Sequence, residues 1–315
     1  MGLGLNARSL AVMDGMARDA ETLRVAVHAV EGARVIDAGV KAEGGLAAGL
    51  CLARACLADL ASVTLLPGQV GDYSCLMVQV STDHPVAACL GSQYAGWQVS
   101  VGKYFAMASG PMRALAGREP LFAELGLGEA AAHASGVLET GKLPGPEVIS
   151  YFSERLKLPA ASITLAAAPT GSLAGSLQVV ARSLETALHQ MHEVGFPLAA
   201  IVSGMGVAPL APPCPDMVAA IGRTNDAILY GGRVEVFTRA EDALLAELGP
   251  RLPSTASPAH GKPFAEIFKE AGGDFYKIDP RLFAPGEIVI RNLSSGRTHR
   301  FGRLEPDLVR RSFGG

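Results

Sequence analysis

The sequence predicts an α/β fold, and three observations predict it. From Ala131 onward, short apolar runs alternate with stretches of helical spacing, the pattern of strands and helices in one architecture. Small residues are abundant, with 37 Gly beside many Ala, which suits helices packed closely on sheets. The 315 residues suffice for one large or two medium domains.

Taken in order, Leu10, Met13 and Ala17 recur at helical spacing after Asn6, a fair N-cap. The period then changes: residues 24–29 and 34–38 read as a hairpin around Glu31 and Gly32. Residues 44–58 form an alanine-rich helix, and residues 62–66 and 74–81 two strands. A charged, weakly patterned region comes after Gly117, and a domain boundary is expected there. Beyond it come a strand at 131–139, a helix opening on Pro146 and Glu147, a strand at 162–168 and one long helix at 173–194. Residues 199–203 read as a buried strand, 204–215 as a Gly- and Pro-rich loop, and 225–230 with 233–238 as a second hairpin. Helices at 240–248 and 263–271 and a hairpin at 287–292 and 297–301 close the chain.

Charged residues make up 18%, low against roughly 25% for ordinary soluble domains. With a mean hydropathy of +0.27, this points to subunit contacts that cover apolar surface. The net charge of -3 and the lack of a Lys/Arg run argue against nucleic acid and anionic membrane as partners, leaving a small ligand. Five dispersed cysteines in apolar settings suggest buried thiols in a reducing compartment. No basic segment followed by an apolar run opens the chain, so a cytoplasmic location is expected. Residues 158–181 are uncharged, but Pro169, Thr170 and Gly171 interrupt them as strand, loop and helix would, not as a membrane span.

The stretch TDHPVAACLGSQYAGWQVSVGKYFAMASGPMRALAG, residues 82–117, combines small residues with Asp83, His84, Gln93, the single Trp97, Lys103 and Arg113. A segment that only filled a core would carry large aliphatics and few polar groups, so it reads as the wall of a site. Asp83 and His84 equally suit a local turn before Pro85, and Trp97 a core position. Gly91, Ser92, Gln98 and Val99 recur at the same offset as Gly171, Ser172, Gln178 and Val179, which either chance or a pair of equivalent loops, one per domain, would produce.

Several motifs fail on inspection. Gly2, Gly4 and Ala7 lack a preceding strand, and Gly204 and Gly206 are followed by Pro209 where a dinucleotide-binding helix should begin. Residues 136–143 resemble a phosphate loop, except that Leu143 replaces the magnesium-binding hydroxyl. The zinc-deaminase and serine-elbow patterns are missing. His189 and His192 lie three apart on a helix without a third ligand, so no metal is expected.

Arg182 and Glu185 stand out in QVVARSLETAL. Three apart, they share a helix face; a structural ion pair is one reading and a proton-transfer site the other. A poorly solvated carboxylate can take and return a proton, and a neighbouring guanidinium orients it.

The segments TDHPVAACLGSQYAGWQVSVGKYFAMASGPMRALA, APTGSLAGSLQVVARSLETAL, GRTNDAILYGG, GKPFAEIFK and DFYKIDPRLFAP together resemble methenyltetrahydromethanopterin cyclohydrolases, almost from end to end. Departures concentrate in residues 118–143 and 207–216. The resemblance implies two α/β domains, α+β in part, with mixed sheets and a cleft between them. The division it suggests is 1–125 with 275–315 against 126–274. It further implies a homotrimer, no metal and no cofactor, the pterin one-carbon carrier being the substrate.

The reaction implied is the reversible hydrolysis of 5,10-methenyltetrahydromethanopterin to the 5-formyl compound. On this resemblance Glu185 is the proton carrier and Arg182 its orienting partner. Ser92, Gln93, Ser172, Ser176, Gln178, Thr224, Asn225 and Asp226 are expected to hold the substrate, turn-making and capping being their alternative role. Rival functions are a cyclohydrolase or deaminase acting on a folate or another pterin, and a noncatalytic pterin-binding protein.

Overall fold

The computed structural model describes residues 2–314. In chain order the elements are α1 (Leu5–Arg18), α2 (Ala20–Leu23), β1 (Ala26–Val30), β2 (Ala33–Asp37), α3 (Leu46–Cys56), β3 (Ser62–Val70) and β4 (Tyr73–Thr82). A π-helical segment, Val86–Gln93, precedes β5 (Trp97–Val101), β6 (Tyr104–Ser109), α4 (Met112–Ala116), α5 (Pro120–Leu125), β7 (Ala134–Glu139), α6 (Pro146–Leu156), β8 (Ile163–Ala168) and α7 (Leu173–Val180). The remaining elements are α8 (Ser183–Glu193), β9 (Ile201–Pro209), α9 (Met217–Leu229), β10 (Arg233–Thr238), α10 (Asp242–Leu248), α11 (Phe264–Glu270), β11 (Glu287–Asn292), β12 (Thr298–Gly302) and α12 (Pro306–Phe313).

The chain is α/β and separates into two compact units, each with its own six-stranded mixed sheet. The first comprises Met1–Ala61 and Ala87–Gln178, the second Ser62–Val86 and Val179–Gly315. The division expected from the sequence runs differently. Residues 134–168 pair with β2 and β6 inside the first sheet, and residues 62–82 pair with β9 in the second. Strand pairing, which links residues far apart in the chain, sets these limits, and composition does not report it.

In the first unit the strand order is β1-β2-β8-β7-β6-β5, with β2, β8 and β7 parallel. Both faces of the middle strands are covered, so their alternate residues enter different cores. Val35, Leu138 and Leu165 meet Ile149 and Phe152 of α6 on one side. Ile36, Val137 and Ala166 meet Met13 and Met16 of α1 and Leu52 of α3 on the other. Such strands read as continuous apolar runs. Trp97 is a core residue, its ring edge-on to Phe152 at 5.2 Å and its indole N–H given to the Tyr151 hydroxyl at 3.0 Å.

Asp37 ends β2 and organises the loop after it. Its carboxylate accepts the backbone N–H groups of Gly39, Val40, Lys41 and Ala42 at 2.7–3.1 Å. Burial raises its pKa, but these four donors outweigh burial and hold it below the ordinary value. Gly44, at φ +66°, closes the loop where a Cβ would collide with the Ala38 carbonyl oxygen.

In the second unit the order is β12-β11-β10-β9-β4-β3, antiparallel except for β10 with β11. Two expectations change here. Residues 204–209 are not loop but the second half of β9, a central strand. Residues 225–229 are not strand but the end of α9, whose N-cap Asp216 accepts the Ala219 N–H at 2.7 Å. The expected cap at Asn6 also differs: α1 starts at Leu5, and the buried Asn6 side chain instead donates to Pro111 O and Glu129 and accepts the Ser135 N–H. Among the described residues no helix is long and apolar enough to cross a membrane.

Candidate active site

The single helix expected over 173–194 is two helices. It breaks at Ala181–Arg182, where the Arg182 N–H reaches back only three residues, to Val179 O at 3.0 Å. Arg182 becomes the N-cap of α8 and Glu185 lies in its first turn. A carboxylate at that end is favoured by the backbone N–H groups and the helix dipole. Both side chains are withdrawn from water, Arg182 being 5% and Glu185 4% exposed.

The first turn of α8 sits directly on β9. A Cβ on Gly206 would lie 2.5 Å from the Ser183 Oγ and 2.8 Å from the Leu184 backbone nitrogen. One on Gly204 would lie 2.9 Å from a Leu184 methyl carbon. Glycine in a central strand costs sheet stability, and here it admits a close backbone approach. The two glycines that fail as a dinucleotide loop therefore set the depth at which Arg182 and Glu185 are held.

In the first unit, Ser92 and Gln178 converge on Cys56. The Ser92 hydroxyl donates to the Cys56 carbonyl at 2.5 Å, and the Cys56 thiol lies 3.8 Å from the Gln178 Oε1 and 3.3 Å from the Ser109 hydroxyl. All four residues are fully buried, as is Gln93. Ser172 caps α7: it donates to Pro169 O at 2.8 Å and accepts the Gly175 N–H at 3.0 Å, one turn before the buried Ser176. The repeated Gly-Ser pairs are thus not equivalent loops in two domains. Both belong to the first unit, Ser92 inside a π-helix and Ser172 at an α-helix start.

Thr224, Asn225 and Asp226 occupy one turn of α9 in the second unit. Thr224 Oγ1 donates back to Ala220 O and Ile221 O, and Asn225 Nδ2 to Ile221 O, the local bonding typical of such residues in helices. Asp226 accepts the Phe264 N–H at 2.8 Å. Its burial pushes its pKa up to about 7, with the Ser312 side chain and the Phe264 N–H opposing and the Glu266 charge adding.

The two helix histidines, His189 and His192, each lie within 3.9 Å of Glu193. Among the described residues no group of three His, Cys, Asp or Glu side chains is placed to hold an ion.

A family model described as Cyclohydrolase (MCH) matches residues 4–313. The chain belongs to this cyclohydrolase family. A methenyltetrahydromethanopterin cyclohydrolase of Rhodopirellula baltica is 50% identical over 290 residues, covering 90% of this chain and 87% of its own. One from Methylobacterium organophilum is 49% identical, covering 98% of this chain and 97% of its own. One from Methanococcoides burtonii is 41% identical, covering 99% and 98%.

The geometry of this cyclohydrolase chain makes two changes informative. Gly206→Ala must push the start of α8 off β9, at an overpacking cost of about 1–3 kcal/mol. Urea unfolding is expected to show that loss, and an unchanged midpoint would mean the seat is looser than its geometry. Asp226 has a folded pKa raised above its unfolded 3.8, so its contribution to stability is full below that value and is lost as pH rises through about 7. Asp226→Asn keeps the acceptor for Phe264, and its unfolding free energy is expected to fall less between pH 4 and pH 8 than that of the wild type.

Proposed function

We propose that the chain catalyses the reversible hydrolysis of 5,10-methenyltetrahydromethanopterin to 5-formyltetrahydromethanopterin. The observation that carries this reading is the end-to-end match with relatives bearing that enzyme name, at 49% identity over 98% of the chain in one case. The buried Arg182 and Glu185 at the start of α8 suit the chemistry.

The substrate's bridging carbon is part of a cationic amidinium. Glu185 takes a proton from water as its oxygen bonds to that carbon, giving a neutral tetrahedral adduct. The bond from the carbon to N10 then breaks, its electron pair goes to N10, and Glu185 returns the proton there. The adduct hydroxyl loses its proton as the formyl C=O forms, so each turnover releases one proton. Arg182 holds the carboxyl group in position through both transfers. No electrons change hands, so the reaction as proposed needs no redox cofactor, and the pterin is substrate only.

The proposal gives the substrate-holding roles to Ser92, Gln93, Ser172, Ser176 and Gln178 of the first unit and to Thr224, Asn225 and Asp226 of the second. Ser92, Ser172, Thr224 and Asn225 also make local bonds that shape the backbone around them. The proposal further includes a cytoplasmic homotrimer, supported by the low charged fraction of 18%.

Loss of the methenyl-pterin absorbance measures the reaction. Wild type is expected to accelerate it, and Glu185→Gln to slow it by about 10²–10⁴-fold. Turnover of methenyltetrahydrofolate alone would move the assignment to a folate enzyme, and binding without turnover would make the chain a pterin carrier. Light scattering should give three times the chain mass of 32.6 kDa, and a monomer would contradict the trimer.

A further inference from the structure

We propose that Arg113 is a positioning residue of the reaction, fixing the end of the π-helical segment that carries Ser92 and Gln93 and so setting how tightly the pterin is held. The inference rests on the functional reading above.

The Arg113 side chain is wholly buried yet charged, which demands partners on every side. In its plane, Nε donates to Glu119 Oε1 at 2.9 Å and Nη2 to Glu119 Oε2, a two-point grip. Nη1 points the other way, to Ser92 O at 3.2 Å and Leu90 O at 3.4 Å. The guanidinium carbon lies 4.9 Å from the Tyr94 ring centre and 5.2 Å from that of Phe122. One side chain thus holds residues 90, 92 and 94 at once.

Those residues lie where a π-helix ends. The Tyr94 N–H reaches back five residues to Cys89 O at 2.9 Å, the wide turn that π-helices use and that ordinary helical bonding would close to four. A π turn is a poorer helix than an α turn, so something outside it must hold the extra residue. The Ser92 carbonyl takes two donors, Arg113 and the Gly110 N–H at 2.9 Å, and the Ser92 hydroxyl is given to Cys56. Ser92 is therefore committed on both sides, and the neighbouring Gln93 is carried in the register that this clamp defines. Gly96 completes the seat, since a Cβ there would lie 2.5 Å from Glu119 Oε2 and 2.7 Å from the Tyr94 ring. A lysine offers one compact charge and can reproduce neither the fork nor the flat contact with the rings.

Arg113→Lys, Glu119→Gln and the double variant Arg113→Met with Glu119→Gln test the proposal. The double variant removes both charges, so neither is left buried alone. Methenyl-pterin turnover is read as separate KM and kcat values, with amide hydrogen exchange at Tyr94 beside it. Arg113→Lys is expected to raise KM at least 10-fold with kcat within threefold, and to speed exchange at Tyr94 while β7 amides stay protected. A purely supporting role would reduce the active fraction and hence apparent kcat, leaving KM alone, and a wild-type KM in Arg113→Lys overturns the inference. Should the two Arg113 variants fail to fold, Glu119→Gln must still raise KM, and a wild-type value in it overturns the inference as well. If the wild type itself does not turn over the methenyl pterin, the functional reading has failed. Exchange at Tyr94 then still decides whether Arg113 grips the turn.

Discussion

The close approach of α8 to β9 is the constraint on which the proposed chemistry depends. A carboxylate that must give and receive a proton within one turnover has to be held in a fixed place and kept from bulk water. Glu185 meets both conditions because it is buried and because its helical turn is pressed onto a strand bearing hydrogen atoms where side chains would stand. β9 gives up β propensity at Gly204 and Gly206 to allow this. It is a central strand, paired on both edges with β10 and β4.

The break between α7 and α8 serves the same end. In a continuous helix Arg182 and Glu185 would both be interior positions, with every backbone N–H around them engaged. Ending α7 at Val180 and restarting at Ser183 turns Arg182 into a cap and brings the N-terminal N–H groups of α8 beside Glu185. Glu185 then lies in the first turn of α8, where the helix terminus contributes a positive field that a helix interior would not.

Most of the element order was legible in the sequence, because periodicity is a local property. The two hairpins at the ends of the chain, the helices on Pro146 and around residue 264, and the buried strand before Pro169 all carry their signal within a dozen residues. β9 was not legible. Its glycines and proline are the composition of a loop, and only a helix approaching from elsewhere in the chain makes them suitable for a strand. The second half of α9 was hidden for a related reason: the helix's start signal, Asp216 accepting from Ala219, lies inside a proline-rich stretch that reads as loop. The domain limits depend on pairing between distant strands and leave no local trace.

The candidate site divides along the same line. Arg182 and Glu185 were visible because two charges in an uncharged stretch must either meet each other or do work, and both readings pointed at the same residues. The polar side chains of residues 82–117 were visible as a group, but their individual roles were not, since these depend on contacts far along the chain. Arg113 illustrates the point. In sequence it is one of several polar residues in a segment read as the wall of a site, with no partner assigned to it. Its true setting, enclosed by Glu119, two carbonyls and two rings, exists only once α4, α5 and the π-helix have folded together. A buried arginine whose donors are directed at backbone and a carboxylate has little to contribute except position, and what it positions is the end of the π-helical segment. The wide turn and the buried cation meet at the Leu90 and Ser92 carbonyls and the Tyr94 ring.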